Sequence, residues 1–336
     1  MSAVPIRPTL DEVLEGLHVV TLPLRTRFRG IAEREVVLVR GPRGWGEFAP
    51  FVEYGPEESA RWLAATIEAA WTGWPEPVRD SVPVNATVPA VPAADVAAVL
   101  ARYDGCTTAK VKVAEAGQRE ADDIDRVAAV RAAMGEHGRI RVDANGGWSL
   151  TQAHDMLAAL APFGLEYAEQ PCADVRDLAR LRVELALNGV EVPVAADESI
   201  RKAEDPLEVA RLGAADLVVV KVAPLGGVAR ALEVVADCGL PAVVSSAIDS
   251  SVGLRAGVAL AAALPRLDHA CGLGTGALLA ADVTTAPLLP TGGALPVREV
   301  RVDADLLAER AAPAERLEWC RDRIGAAFAH LPSQTG

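Results

Sequence analysis

Thr108-Ala-Lys-Val-Lys-Val113 is a short β-rich run in which Lys110 and Lys112 alternate with valines. Alternation along a strand puts both lysines on one face and Val111 and Val113 on the other. Two cations on the inner face of a buried strand are costly unless they have a function or a partner. Working outward, similar apolar runs occur at Val82–Val88, Ile140–Asp143, Tyr167–Gln170, Val192–Asp197, Leu217–Lys221, Ala242–Ser246 and His269–Leu273, separated by alanine-rich helical segments. The repeat of roughly 25–30 residues is one βα unit. Eight units in succession predict an α/β fold of the TIM-barrel type. A doubly wound sheet is the alternative, but no G-x-G-x-x-G follows the first strand, and Gly272, Gly274 and Gly276 make only a loose glycine repeat.

Before the repeat, His18–Pro23 and Glu35–Arg40 read as strands, Gly41–Gly44 as a turn and Glu57–Trp74 as a helix, predicting a small α+β unit over residues 1–80. The repeat occupies 81–290. Residues 291–336 hold a β-like run, Pro296–Val302, and a helical tail, Leu306–Phe328, expected to fold back on the N-terminal unit.

The chain has 336 residues, 51% of them hydrophobic, enough for a large core. A net charge of -13 argues against a nucleic-acid partner. No apolar run is long enough for a membrane span, and because the first residues lack a basic stretch followed by an apolar one, no signal peptide is expected. The five cysteines are scattered, with no CxxC pair, so neither a zinc site nor a disulfide framework is indicated and the expected compartment is a reducing cytoplasm.

In a barrel, chemistry sits at the C-terminal strand ends. Those ends carry Lys110 and Lys112, then Asp143-Ala-Asn145, Glu169-Gln-Pro171, Asp197-Glu-Ser199, Lys221, and Ser245-Ser246. An aspartate at one strand end often only caps the next helix. Three carboxylates on consecutive strands, flanked by lysines, point instead to a divalent cation held by hard oxygen ligands. Glu198 is expected to turn away from Asp197. Of 33 basic residues only four are lysines: Lys110, Lys112, Lys202 and Lys221. Arginine cannot give up its proton in a protein, whereas a desolvated lysine can, so lysines retained at three strand positions suit an amine that acts as a base. No HExxH, P-loop or G-x-S-x-G competes, the five histidines do not cluster, and His269 reads as structural.

Lys110-Val-Lys112, Val142-Asp-Ala-Asn145, Glu169-Gln-Pro171, Asp197-Glu-Ser199 and Val220-Lys221 resemble the muconate-lactonizing subgroup of the enolase superfamily over most of the chain. The resemblance implies a (β/α)7β TIM-type barrel with an N-terminal α+β capping domain. It also implies Mg²⁺, with Mn²⁺ as a substitute, on Asp143, Glu169 and Asp197, and removal of a proton α to a carboxylate. Within the subgroup, Arg25-Thr-Arg-Phe-Arg-Gly30, Trp45-Gly-Glu-Phe-Ala-Pro50, Val84-Asn-Ala-Thr-Val88, Ser245-Ser-Ala-Ile-Asp-Ser-Ser251 and Gly272-Leu-Gly274 resemble the o-succinylbenzoate synthase family, a hydro-lyase family of menaquinone biosynthesis. That resemblance implies conversion of 2-succinyl-6-hydroxy-2,4-cyclohexadiene-1-carboxylate to 2-succinylbenzoate and water. Lys112 would be general base and acid, Lys221 the lysine of the opposite face, and Lys110 the cationic neighbour of Lys112. Arg27 and Arg29, on a loop closing with Phe48–Tyr54 over the mouth, together with Asn145, Ser245, Ser246, Gly272 and Gly274, are the expected contacts of the small anionic substrate. An N-acylamino acid racemase or dipeptide epimerase, using Lys112 and Lys221 as two bases, is the rival on the same scaffold.

Overall fold

A computed structural model describes residues 8–28, 30–201 and 205–332. The described residues open with a helix, Leu10–Glu15, started by a Thr9–Glu12 capping box. A three-stranded antiparallel sheet follows: β1 (Leu17–Phe28), β2 (Ile31–Gly41) and β3 (Gly44–Phe48), in the order β1-β2-β3. The expected strands are thus present and longer. The helix predicted over Glu57–Trp74 runs Pro56–Ile67 and loosens into a π turn, Glu68–Thr72, before Trp74-Pro75.

Next come β4 (Ser81–Pro83), β5 (Ala86–Val88), β6 (Thr108–Lys112), β7 (Arg139–Asp143), β8 (Leu165–Glu169), β9 (Val194–Ala196), β10 (Leu217–Lys221), β11 (Ala242–Ser245) and β12 (Ala294–Pro296). β5 to β11 form one seven-stranded parallel sheet in sequence order, with a helix after nearly every strand. Val111, Val142, Ala168, Val220 and Val244 pack against the helices, while Tyr167, Ala195, Leu217, Val219 and Val243 form a separate cluster on the other face. That split is the period-2 alternation of strands covered on both sides.

Two expectations are corrected at the sheet edges. Val82–Val88 is not one strand: β4 pairs antiparallel with β12, and only β5 joins the parallel sheet. His269–Leu273 is not a regular strand. Only Cys271 and Gly272 pair, with Gly272 N–H on Val244 O (2.8 Å) and Cys271 N–H on Pro83 O (2.7 Å), so two residues link the sheet's last strand to the Pro83–Asn85 segment that leads into β5, and curl the sheet on itself. Gly272 takes the place because a Cβ there would lie 2.5 Å from Ser245 Oγ. The run Pro296–Val302 also shifts: β12 is Ala294–Pro296, paired antiparallel with β4, and beyond Pro296, which has no N–H to give, one further bond follows, Val297 N–H to Asp80 O at 2.8 Å. The helical tail divides at Pro313 into Ala304–Glu309 and Ala314–Ala329. Between them Ala312 N–H bonds Val19 O on β1, and from the second helix Cys320, Ile324 and Ala327 share an apolar cluster with Phe48, Trp62 and Leu63. No helix of the described residues is long and apolar enough to cross a membrane, and all five cysteines are free.

Beneath the strand ends the interior is charged. Arg141, fully buried, stacks 4.7 Å from the Tyr167 ring and donates to Glu166 Oε2 (2.6 Å) and Ala270 O (2.6 Å). His269 Nδ1 lies 2.9 Å from Glu166 Oε1, a structural place, as expected from the sequence. Burial alone would raise the Glu166 carboxyl, but the hydrogen bond from His269 and the Arg141 guanidinium hold it down at about 2. A carboxyl lowered on folding contributes stability above its ordinary value of 4.5 that is lost as pH falls towards about 2. Glu166→Gln leaves Arg141 without its counter-charge and is expected to cost about 3 kcal/mol at pH 7. Calorimetry should also find the variant's melting temperature less acid-sensitive than wild type below pH 4.5.

Candidate active site

The sheet register sets the site. Lys112 lies opposite Asp143, Asp143 opposite Glu169, and Lys221 opposite Ser245, so the strands deliver these side chains at one level. Asp197 follows the last residue of β9. Lys110 and Lys112, on one face as predicted, both line the pocket above this level.

Every carboxylate of the floor faces a cation. Lys110 Nζ donates to both Glu169 oxygens (3.0 and 3.1 Å) and lies 3.3 Å from Asp143 Oδ2. Lys112 Nζ donates to Asp143 Oδ2 (2.5 Å) and Asn145 Oδ1 (2.6 Å). Lys221 Nζ donates to Asp197 Oδ2, whose other oxygen accepts from Arg201 Nε at 3.0 Å. Burial opposes ionisation of Asp143 and Asp197, yet Lys112 and Lys110 hold the first, and Lys221 and Arg201 the second, well below the usual carboxylate range. Glu169 goes the other way, up to about 7, because burial and the facing Asp143 and Asp197 outweigh Lys110. Burial alone would lower the Lys110 ammonium, but Glu169 and Asp143 raise it above its ordinary value.

Three fully buried carboxylates within Coulombic reach of one another are the donor set that a hard divalent cation fits. The charge that three neighbouring strands concentrate here is otherwise met by ammonium groups. Among the described residues no three His, Cys, Asp or Glu side chains already converge on one point, since each carboxylate turns to its lysine. For these three carboxylates to hold a cation, those ion pairs would have to open.

The walls come from two units. From the curled parallel sheet and its loops come Thr87, Pro224, Ser245 to Ile248, Gly272 and Thr275; from the N-terminal unit come Phe28, Phe51 and Trp62. Ser246 Oγ bonds Gly272 O (3.1 Å) and Thr275 Oγ1 (2.7 Å). Of the expected contacts, Ser245, Ser246 and Gly272 line the pocket. Gly274 does not: a Cβ there would meet Asn85 O at 2.5 Å, so its role is close backbone packing. Asn145 is held by Lys112 and sits in an adjoining outer cleft with Arg27, which donates to Gly30 O at 2.9 Å. Arg25 faces a different cleft, beside Arg102 and Arg310. Arg29 lies outside the described residues.

Glu198 corrects another expectation. The strand stops at Ala196 and a helical turn, Glu198–Arg201, begins, so strand alternation no longer applies there. Glu198 Oε1 accepts from Asn145 Nδ2 (3.2 Å) and Arg201 Nη2 (2.6 Å), at the rim of the site. Sequence reasoning missed Arg201, although its i+4 spacing from Asp197 is an ion-pair signal. It also missed Gln170, whose side-chain oxygen accepts from Asp197 N (2.9 Å) and Ser199 N (3.1 Å), tying the end of β8 to that of β9.

Comparison with known proteins agrees with this geometry. Residues 93–301 match the enolase C-terminal domain-like family and residues 19–70 the enolase N-terminal domain-like family. An o-succinylbenzoate synthase of Thermobifida fusca is 62% identical over 86% of this chain and 89% of its own. One of Mycolicibacterium smegmatis is 57% identical over 96% of this chain and 98% of its own. Among solved structures, a muconate lactonizing enzyme of Pseudomonas fluorescens shares the fold, with a TM-score of 0.75 and 22% identity over 88% of this chain and 98% of its own. An N-succinyl Arg/Lys racemase of Bacillus cereus has a TM-score of 0.73 at 19% identity, over 88% of this chain and 97% of its own, so the fold alone does not choose between a dehydratase and a racemase. At the identities of the first two relatives the family is not in doubt: the chain belongs to the o-succinylbenzoate synthase family of the enolase superfamily.

Proposed function

We infer that the protein is a divalent-metal-dependent hydro-lyase of menaquinone biosynthesis. It removes water from 2-succinyl-6-hydroxy-2,4-cyclohexadiene-1-carboxylate to give 2-succinylbenzoate. The observation that carries this is a family relationship at 57% identity over nearly the whole chain, joined to a pocket floor where lysines bracket three buried carboxylates. In this reading the curled sheet with its two-residue closure is a (β/α)7β barrel of residues 81–290. Residues 1–80 cap it, and 291–336 return to the cap.

Asp143, Glu169 and Asp197 would hold the cation, Mg²⁺ with Mn²⁺ as a substitute. When bound, it would supply charge stabilisation for the two negative charges that collect on the substrate carboxylate. The chain's own residues do the rest. Lys112 takes the α-proton, and its ammonium returns that proton to the departing hydroxide on the same face. Lys221, held beside Asp197 on the far side of the floor, need only supply positive charge to a ring gaining electron density. Arg201 and Gln170 fix Asp197, and Phe28, Phe51 and Trp62 exclude water.

The test is direct turnover. Dehydration of the cyclohexadiene, followed at the aromatic product, should be fast. Exchange of either enantiomer of an N-succinyl amino acid in D₂O should be slow beside it. Fast exchange of both enantiomers, each through a different lysine, with no dehydration, would leave only the superfamily fold standing.

A further inference from the structure

After β11 the pocket wall runs Ser245-Ser246-Ala247-Ile248 and then turns into the helix Ser251–Ala263. Ile248 stands at φ +63, in the left-handed region that a β-branched residue rarely adopts, and is almost fully buried. Such a conformation persists only when its surroundings over-determine it. Here they belong to the N-terminal sheet. Arg34 on β2, itself buried, donates from Nε to Ile248 O (3.2 Å) and from Nη2 to Ala49 O. Glu47 on β3 accepts from Ser250 N (3.2 Å), Ser250 Oγ and Gly253 N (3.1 Å), so a carboxyl group from one unit caps a helix of the other. The fit leaves no slack: a Cβ on Gly253 would lie 2.7 Å from Asp249 Cβ and 2.9 Å from Glu47 Cδ. Glu68 fastens the preceding helix, Val228–Cys238, in the same way, accepting from Val228 N (2.6 Å) and Ala229 N (3.0 Å).

We propose that Arg34 and Glu47 are positioning residues for turnover: from the N-terminal sheet they hold the Ile248 turn in its left-handed conformation, and so set the wall Ser245–Ile248 against the substrate. Neither residue lines the pocket with Lys112, so both act through the turn. The proposal rests on the reading of that pocket as the dehydration site. A wall that slips by about 1 Å costs up to about 10²-fold in turnover with the chemistry groups untouched.

The charges around Glu47 add a pH signature. Burial and the neighbouring Asp249 push the Glu47 carboxyl up to about 8, against Ser250 and Arg34, which pull it down. Asp249 is raised by burial as well, with Arg34, the Ala247 N–H and Lys221 opposing. An acid raised on folding contributes stability fully present below its ordinary 4.5 and lost as pH rises through about 8. The latch therefore loosens as pH rises towards about 8.

The experiment uses the full-length, Mg²⁺-saturated enzyme and two readouts. In steady-state kinetics Arg34→Gln and Glu47→Ala are expected to lower kcat/KM by about 10- to 100-fold, mainly through kcat. Glu47→Gln, which keeps shape and an acceptor, should recover most of the loss of Glu47→Ala. In an Ile248→Gly background, where glycine adopts the turn unaided, the further loss caused by Arg34→Gln should shrink to about 3-fold or less. Hydrogen–deuterium exchange, which needs no substrate, should show amides 247–253 less protected in Arg34→Gln and Glu47→Ala. After correction for intrinsic rates, wild type should lose that protection progressively between about pH 5 and 8, while Glu47→Gln does not. Equal Arg34→Gln losses with and without the Ile248→Gly change, or unchanged protection at 247–253 in folded variants, overturn the proposal. Absence of dehydration by wild type would sink the functional reading instead, and the exchange data would still decide the latch.

Discussion

Lys112→Arg is expected to lower kcat for dehydration by about 10⁴-fold while the protein still binds Mg²⁺. Arginine keeps the positive charge beside Asp143 and Asn145, both of which Lys112 touches, so the ion pair survives in altered form. What disappears is an amine able to take and return a proton. Single-turnover measurement at saturating substrate separates this from a binding defect, because KM should move little. Lys110→Arg makes the contrast. Lys110 grips Glu169 through both oxygens and reaches Asp143, so its replacement should weaken cation affinity more than it weakens proton transfer. If excess Mg²⁺ restored Lys112→Arg but not Lys110→Arg, the two assignments would be reversed.

Glu169→Gln is expected to be nearly as damaging, by about 10³-fold, the scale of several kcal/mol of charge stabilisation at the reacting carboxylate. The amide preserves volume and one acceptor for Lys110 but removes one of the three anionic donors. Chelation of wild type should reproduce the loss, and Mg²⁺ or Mn²⁺ should reverse it only in wild type. A second readout needs no turnover. Mg²⁺ at a hundred times its Kd stabilises a protein that binds it only when folded by about 2.7 kcal/mol, and that rise in melting temperature should vanish in Glu169→Gln. A variant that kept both the rise and the activity would show that the ligand set lies elsewhere.

How much of this was legible depended on how local the cause is. Lys110 and Lys112, Asp143, Glu169, Asp197 and Lys221 could be read because strand alternation and the C-terminal placement of barrel chemistry are short-range rules. The register then brought them to one level without further information. The side walls could not be read so well. Trp62 reaches the pocket only because the N-terminal helix docks on the parallel sheet's side of the molecule, which no local pattern encodes. Phe28 and Phe51, by contrast, lay in the two loops expected at the mouth, Arg25–Gly30 and Phe48–Tyr54. Glu198 and Gly274 were misplaced for a different reason. Strand periodicity was carried past Ala196, where the strand had ended, and glycine was assigned to ligand contact where it permits backbone packing. His269–Leu273 had the composition of a strand but supplies only a two-residue bridge.

That bridge bears on how the chain comes to be folded at all. Val84 meets Cys271 across about 190 residues of intervening chain, and the entropy of closing so large a loop is met by only a handful of backbone hydrogen bonds. On the ribosome the first strand therefore waits with one edge exposed until the seventh βα unit and Gly272 have emerged. Trp62 and Phe48 wait longer still for the helix Ala314–Ala329 that covers them. The interval between making the first strand and sealing its edge is the stretch of biosynthesis in which this protein is most exposed to self-association, and where a chaperone has most to shield.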